Sequence, residues 1–337
     1  MNSLPHLIQF EPIYKEKIWG GRKLETVFGR KLPNGPIGES WEVSVYGNDI
    51  SRAKNAQISG ETFTELITKF PKQILGSAFE SDSFPLLIKL IDAKEKLSVQ
   101  VHPDDSYAEN YDPDSSGKKE CWYVLEADPG AQIVVGFQRE ISKSEFTELV
   151  SKNECELVLR NWNVKAGDVF LLNPGTIHAI GAGVVLLEVQ QSSDSTYRVY
   201  DYGRLGDDGK PRALHLEKAL AVLNFSKSIG DEYQSKTLVH YQPFTRYLYT
   251  SNDKFRLESW EFTQAQYLSI PSISKPSTFC VFYVTSGSIY FEHSKQLISK
   301  GESFLITAEG MDSNIEAYIS PETNLAMMTA GDERLKF

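Results

Sequence analysis

Short, predominantly apolar runs rich in Val, Ile, Phe and Tyr, broken by polar turns of Gly, Pro and Asp, dominate the chain. In the first half they are SWEVSVYG (40–47), PLLIKLIDA (85–93), KLSVQVHP (96–103), CWYVLEA (121–127) and AQIVVGF (131–137), continued by VFLLNPGTIHAI (169–180) and VVLLEVQQ (184–191). Closely spaced strands bounded by turn residues predict an all-β sandwich or barrel. Three segments interrupt this texture with helical spacing. GETFTELITKFPKQIL (60–75) should break or kink at Pro71. SKSEFTELVSKNECELVLRNW (142–162) offers Ser142 as an N-cap with Glu145 three residues on, and ALHLEKALAVLNF (213–225) predicts a third helix. Beyond residue 225 a connector and an edge strand are expected in 231–248, then strand, turn, strand, turn, strand over 278–310. VKAGDVFLLNPGTIHAI (164–180) and ISKGESFLITAEGMDSNI (298–315) share the order Gly, acid, apolar strand, polar turn. That likeness predicts two related jelly-roll units, of which the second has no histidine at the matching place.

Composition narrows the function classes. The chain has 337 residues, enough for two or three domains, with 41% hydrophobic and 24% charged residues. No apolar run reaches the ~20 residues that span a bilayer, so no membrane partner is expected. The start carries no basic segment followed by an apolar stretch and a small-residue cleavage site, and a cytoplasmic location is expected. Cys121, Cys155 and Cys280 form no CxxC pair, which argues against a disulfide framework and against a thiolate zinc site. A net charge of −10 argues against a nucleic-acid partner. A small anionic substrate remains compatible, because cations gathered in a cleft outweigh the distant average field.

The six histidines are His6, His102, His178, His215, His240 and His293. In LSVQVHPDD the side chains of Gln100 and His102 share one strand face. His178 follows the Pro174–Gly175 turn, and Glu120 opens another strand. Imidazoles and a carboxylate are ordinary ligands of catalytic zinc. A single histidine in a β protein is more often a satisfied core or surface residue, and spacing alone does not join strands so far apart in the chain.

SVQVHPDD, GKKECWYV, LLNPGTIHAI and LEVQQSSDSTYRVYDYGR, with YKEKIWGG and GPIGESWEVS near the start, together resemble the type I mannose-6-phosphate isomerases of the cupin superfamily, particularly the short bacterial form. The likeness runs over roughly residues 10–225 and is looser over the last ~90. It implies a mainly β protein of two cupin-type jelly rolls with a few inserted helices. Residues 1–228 would form the catalytic unit with helical insertions, and 229–337 a metal-free cupin-like unit. It implies zinc (Zn2+) held by Gln100, His102, Glu120 and His178, and a catalytic arginine at Arg198. Lys89, Ser98, Lys118 and Asp194 match substrate-pocket positions, and Arg204 stands where larger relatives carry a lysine. The implied reaction interconverts D-mannose 6-phosphate and D-fructose 6-phosphate by proton transfer through an enediol(ate), with the sugar phosphate as small-molecule partner. The base stays open among Lys118, a carboxylate and metal-bound water. Lys89 has a physical argument of its own, since a lysine within PLLIKLIDA is costly unless it has a partner or faces a cavity. His215 is expected to be structural. Trp19, Trp41 and Trp122 are expected in the core, and no role is assigned to Glu39 or Glu42. Another metal-dependent cupin enzyme, or a sugar-phosphate binder without turnover, are the competing readings.

Overall fold

In the computed structural model the described residues are 4–77, 79, 83–206, 209–240, 242–270 and 277–331. The strand Leu86–Ala93 shows how the sequence builds the architecture, because all eight of its residues are buried. Leu86, Ile88 and Leu90 enter one core, which they share with Phe255, Leu257, Val281 and Met328 of the second half of the chain. Ile91 and Ala93, on the opposite face, enter another core with Trp122, Val124, Ile133 and Leu186. A strand buried on both faces thus serves as the middle layer, and Lys89 falls on its inner face.

The first unit is a sandwich of two antiparallel sheets. One has six strands in the order Val169–Leu172, Glu120–Ala127, Val184–Gln191, Leu86–Ala93, Ile13–Gly21 and Ile37–Val43. The facing sheet has five, in the order Leu159–Asn163, Gln132–Phe137, His178–Ile180, Val99–Val101 and Tyr197–Tyr200. The second unit repeats the plan. Ser303–Ile306, Cys280–Ser286, Thr323–Ala330 and Phe255–Phe262 lie side by side in a seven-stranded sheet, opposite a four-stranded sheet of Gln266–Ser269, Glu316–Ile319, Ser288–Phe291 and Gln296–Ser299. Both units are therefore jelly rolls with matching strand order, and the protein is mainly β. Leu7–Ile8, although N-terminal, pairs with Leu305 and Ile306 in the second unit's sheet.

Helices cover the outside of the five-stranded sheet. Lys143–Ser151 and Leu216–Val222 bury Phe146, Val150 and Ala219 with Val99, Val101, Tyr197 and Val199. Because Val99 and Val101 point outward beneath these helices, alternation sends Gln100 into the barrel. The expected helices are shorter than their apolar spacing suggests. Residues 60–75 form two, Phe63–Lys69 and Pro71–Leu75, divided before Pro71. The 142–162 helix stops at Ser151, and Asn153 takes a left-handed φ of 59°. The chain continues as a short 3-10 turn, Cys155–Val158, and the strand Leu159–Asn163. Helix 213–225 is confined to Leu216–Val222. Residues 278–310 hold four strands rather than three. Thr237–His240 forms the edge strand expected in 231–248, of which Tyr241 lies outside the described residues.

Candidate metal centre and active site

Two rows of cross-strand neighbours face each other inside the first barrel. On the five-stranded sheet, Gln100 lies in register with His178 on one side and Arg198 on the other. Residues directly opposite in antiparallel strands project to the same face, so the row is His178, Gln100, Arg198. On the six-stranded sheet, Trp41 is opposite Lys89, Lys89 opposite Glu188, and Glu188 opposite Trp122. Glu120, two residues before Trp122, is on the same inner face and pairs with Leu172 and Gln190.

Among the described residues, His102, Glu120 and His178 place one ligand atom each within 4.8 Å of one another, and all three are buried. His102 Nδ1 donates to the Ser195 carbonyl at 2.6 Å, and His178 Nδ1 donates to the Thr176 carbonyl at 2.9 Å. Those bonds fix the tautomers and leave a lone pair on each Nε2. The two Nε2 atoms nevertheless face each other at 3.1 Å. Glu120 approaches them with Oε2 at 3.5 Å from His102 Nε2 and Oε1 at 3.4 Å from His178 Nε2. Neither carboxylate oxygen receives a well-directed hydrogen bond, although Lys118 Nζ lies 2.7 Å from Oε2 as an ion pair. Two imidazole lone pairs and a buried carboxylate aimed at one point are mutually repulsive without a cation, and this donor set fits a divalent metal. Lys118 Nζ, 3.3 Å from His102 Nε2, partly neutralises the cluster from its side. Gln100 sets its amide nitrogen 3.3 Å from His178 Nε2, so half a turn of the amide aims the oxygen into the same space.

Burial and neighbours tune these groups. Burial pushes the His178 imidazole down to about 3, with the Glu120 charge opposing and His102 and Lys118 adding to the shift. His102 is lowered by burial and then by Lys118. Burial alone would raise Glu120, but Lys118 and both imidazoles hold its carboxyl well below the usual range. Glu188 behaves oppositely. Burial and the Glu120 charge push it up to about 7 against the pull of Lys118 and Lys89. For Lys89, burial opposes the charged form but Glu39, Asp194 and Glu188 outweigh it, so the ammonium is held.

The remaining sequence-selected residues fall at different places. Lys89 Nζ lies 3.2 Å from Asp194 and 3.8 Å from Glu188, and so has the partners its burial requires. Ser98 Oγ accepts from Arg198 Nε at 3.3 Å, while Arg198 Nη1 donates to the Ala213 carbonyl at 2.8 Å. His215 Nδ1 accepts from the Arg198 backbone N–H at 3.1 Å and so steadies that strand. Arg204 is engaged with Asp201 at 2.5 Å and with the Lys96 carbonyl, and Asp201 is shared with Arg212. Trp122 is in the core, as expected, but its Nε1 also donates to Glu188 at 2.9 Å. Sequence reasoning missed Glu188. The signal was there, because a glutamate inside VVLLEVQQ raises the same question as the lysine inside PLLIKLIDA. The Ser195 carbonyl leaves no such trace.

The model of the type I phosphomannose isomerase catalytic domain matches residues 7–129. A probable mannose-6-phosphate isomerase of Bacillus subtilis, GmuF, is 36% identical over 260 residues, covering 77% of this chain and 81% of that protein. The mannose-6-phosphate isomerase of Streptococcus mutans is 43% identical over 64% of this chain and 69% of its own length. Among solved structures, the mannose 6-phosphate isomerase from Bacillus subtilis superposes with a TM-score of 0.85 at 32% identity, covering 96% of this chain and 99% of that one. Both the shared fold and the sequence identity extend well beyond the stretch matched by the catalytic-domain model, and the chain belongs to the type I phosphomannose isomerase family.

Proposed function

We propose that this mannose-6-phosphate isomerase converts D-mannose 6-phosphate and D-fructose 6-phosphate into one another through an enediol(ate), with zinc held by Gln100, His102, Glu120 and His178. The observation that carries this reading is the convergence of two imidazole Nε2 lone pairs and the Glu120 carboxylate, whose Oε2 is ion-paired with Lys118, on one buried point. A divalent ion on three neutral donors and one carboxylate keeps about one net positive charge and supplies Lewis-acid polarisation of substrate oxygens.

The chain's own side chains do the rest. Arg198 stands in the same cross-strand row as Gln100 and His178, always protonated, and stabilises negative charge developing on the sugar oxygens. Ser98 fixes its orientation through Nε. Lys89 and Lys118 face the interior as ammonium groups and grip the anionic substrate by charge-assisted hydrogen bonds. Asp194, with its side chain 47% exposed, meets Lys89 on the solvent side and hands it over when substrate enters. Arg204 and Arg212 share one aspartate, so that corner keeps a net positive charge that favours a phosphate approaching Arg198. Residues 1–228, apart from the Leu7–Ile8 strand that joins the second unit's sheet, then form the catalytic unit, and 229–337 the second unit, whose described strands pack against the outer face of the six-stranded sheet. Buried free thiols at Cys121, Cys155 and Cys280 suit a reducing cytoplasm.

The test is removal and return of the metal. Treatment with a strong chelator should abolish interconversion of mannose 6-phosphate in a coupled assay, and added zinc should restore it in proportion to the metal bound. Undiminished turnover by metal-free protein would end the reading.

A further inference from the structure

We infer that Glu39 and Trp41 form a clamp that positions the Lys89 ammonium for substrate, an inference that rests on Lys89 being a substrate contact. The strand Ile37–Val43 puts Glu39 and Trp41 two residues apart and therefore on one face. Trp41 is directly opposite Lys89 in the ladder, and the Lys89 Nζ lies 4.8 Å from its ring centroid. The ring is itself held, since Trp41 Nε1 donates to Glu39 Oε2 at 2.8 Å. Glu39 is anchored in turn by Lys17 Nζ, 3.2 Å from Oε1. A second ammonium, that of Lys15, lies 5.0 Å from the same centroid.

This arrangement answers a question that burial poses. Lys89 has four rotatable side-chain bonds and, among the described residues, one carboxylate hydrogen-bond partner, Asp194, at 3.2 Å. Glu188 is too distant, at 3.8 Å, to hold it by a short hydrogen bond. When a phosphate or sugar oxygen replaces Asp194, the ring face of Trp41 becomes the surface that keeps the ammonium in place. A cation over a desolvated indole face is held there by the electrostatics of the ring. Trp41 and Glu39 are positioning residues here, because they act through Lys89.

The clamp predicts a particular kinetic pattern. Trp41→Leu and Glu39→Ala should each raise KM for mannose 6-phosphate by about ten-fold with kcat changed by less than about three-fold, while bound zinc stays at the wild-type level. Glu39→Gln keeps an oxygen for the indole N–H but removes a charge that helps hold the ammonium, and should recover part of the lost affinity. In a Lys89→Ala background, where KM is already high, Trp41→Leu should add little. Independent effects of Trp41→Leu and Lys89→Ala on KM would overturn the clamp, as would a normal KM in Glu39→Ala while Lys89→Ala raises it. A normal KM in Lys89→Ala would instead overturn the reading of Lys89 as a substrate contact, and the clamp with it.

Discussion

The two barrels share a strand order but not an interior. In the first, Glu120 opens its strand and pairs with Leu172, the last residue of the neighbouring strand; in the second, Cys280 opens the equivalent strand and pairs with Ile306, also a last residue. Counting from there, Trp122 corresponds to Phe282, Glu188 to Met327 and Lys89 to Glu258. The first interior therefore holds His102, His178, Glu120, Lys118, Lys89 and Glu188, while the second is filled by Phe282, Phe291, Phe304, Trp260 and Met327. Where the second barrel does bury charge, it closes the circuit. Glu258 takes Arg246 at 2.9 Å and Trp260 Nε1 at 2.7 Å, and Arg256 Nε at 2.6 Å. The contrast shows what makes one jelly roll a candidate metal centre. The backbone supplies converging strands in both units, but among the described residues only the first brings two imidazole nitrogens and a carboxylate within reach of one ion.

The sharpest break of this comparison comes from the ligands. His178→Ala should lose the metal and depress turnover by about 1,000-fold or more, read by metal analysis and the coupled assay, with a nearly unchanged fold. Arg198→Ala should reduce kcat by about 100-fold while retaining full metal content, since it removes charge stabilisation and no ligand. A normal kcat in either variant would show that the first interior is no more chemical than the second.

Two buried carboxylates, one in each barrel, should respond differently. Glu258→Gln leaves Arg246 and Arg256 without their shared anion, and breaking such a buried pair costs about 3–5 kcal/mol. It should lower the melting temperature while zinc content and kcat stay at wild-type values. Glu120→Gln should lose metal and activity, and because it also leaves the buried Lys118 ammonium without its ion pair it should lower the stability of the chelated protein as well. Acid sharpens the same point at the seam between the units. Burial would raise Glu42, but Arg30, Ser40 and Ser303 hold its carboxyl below the usual value of 4.5. A group with a depressed folded-state value contributes fully above the unfolded one and less as pH falls through the folded one. Stability should thus decline below about pH 4.5, and Glu42→Gln should flatten that decline in a denaturant series.

Much of this architecture is legible in the residues themselves. Alternation marks the strands, and PLLIKLIDA announces a strand buried on both faces with one lysine turned inward. The helix at 142–162 was overrun because Cys155, Val158 and Leu159 continue the apolar spacing. Its stop was also written, in Asn153, a residue suited to the left-handed position that ends a helix. Thr62 and Glu65 form a complete capping box that the same rules identify. The metal centre is less legible. Periodicity puts Gln100 and His102 on one face, but Glu120 and His178 come from other strands, and only the family resemblance joined them. The cross-strand row of Trp41, Lys89, Glu188 and Trp122 is a product of register, which a single sequence does not display.

The smallest expected effect is at Cys280, and it tests the comparison most directly because this residue holds the register position of Glu120, the candidate metal ligand. The thiol is fully buried, and burial pushes it up from its ordinary value, so it sits there as a neutral, unreactive group. Cys280→Ala removes one sulfur from a packed interior and should cost about 1 kcal/mol, through lost contacts and a small cavity. The melting temperature should fall by a few degrees at most, and kcat/KM for mannose 6-phosphate should be unchanged. A substantial fall in kcat/KM without loss of zinc would mean that the second barrel reaches the reaction through the core it shares with Leu86, Ile88 and Leu90. Leu257→Ala, in that shared core, separates the two cases. If packing alone couples the units, it should lower stability more than Cys280→Ala, by about 2–5 kcal/mol, and still leave the folded enzyme's kcat intact.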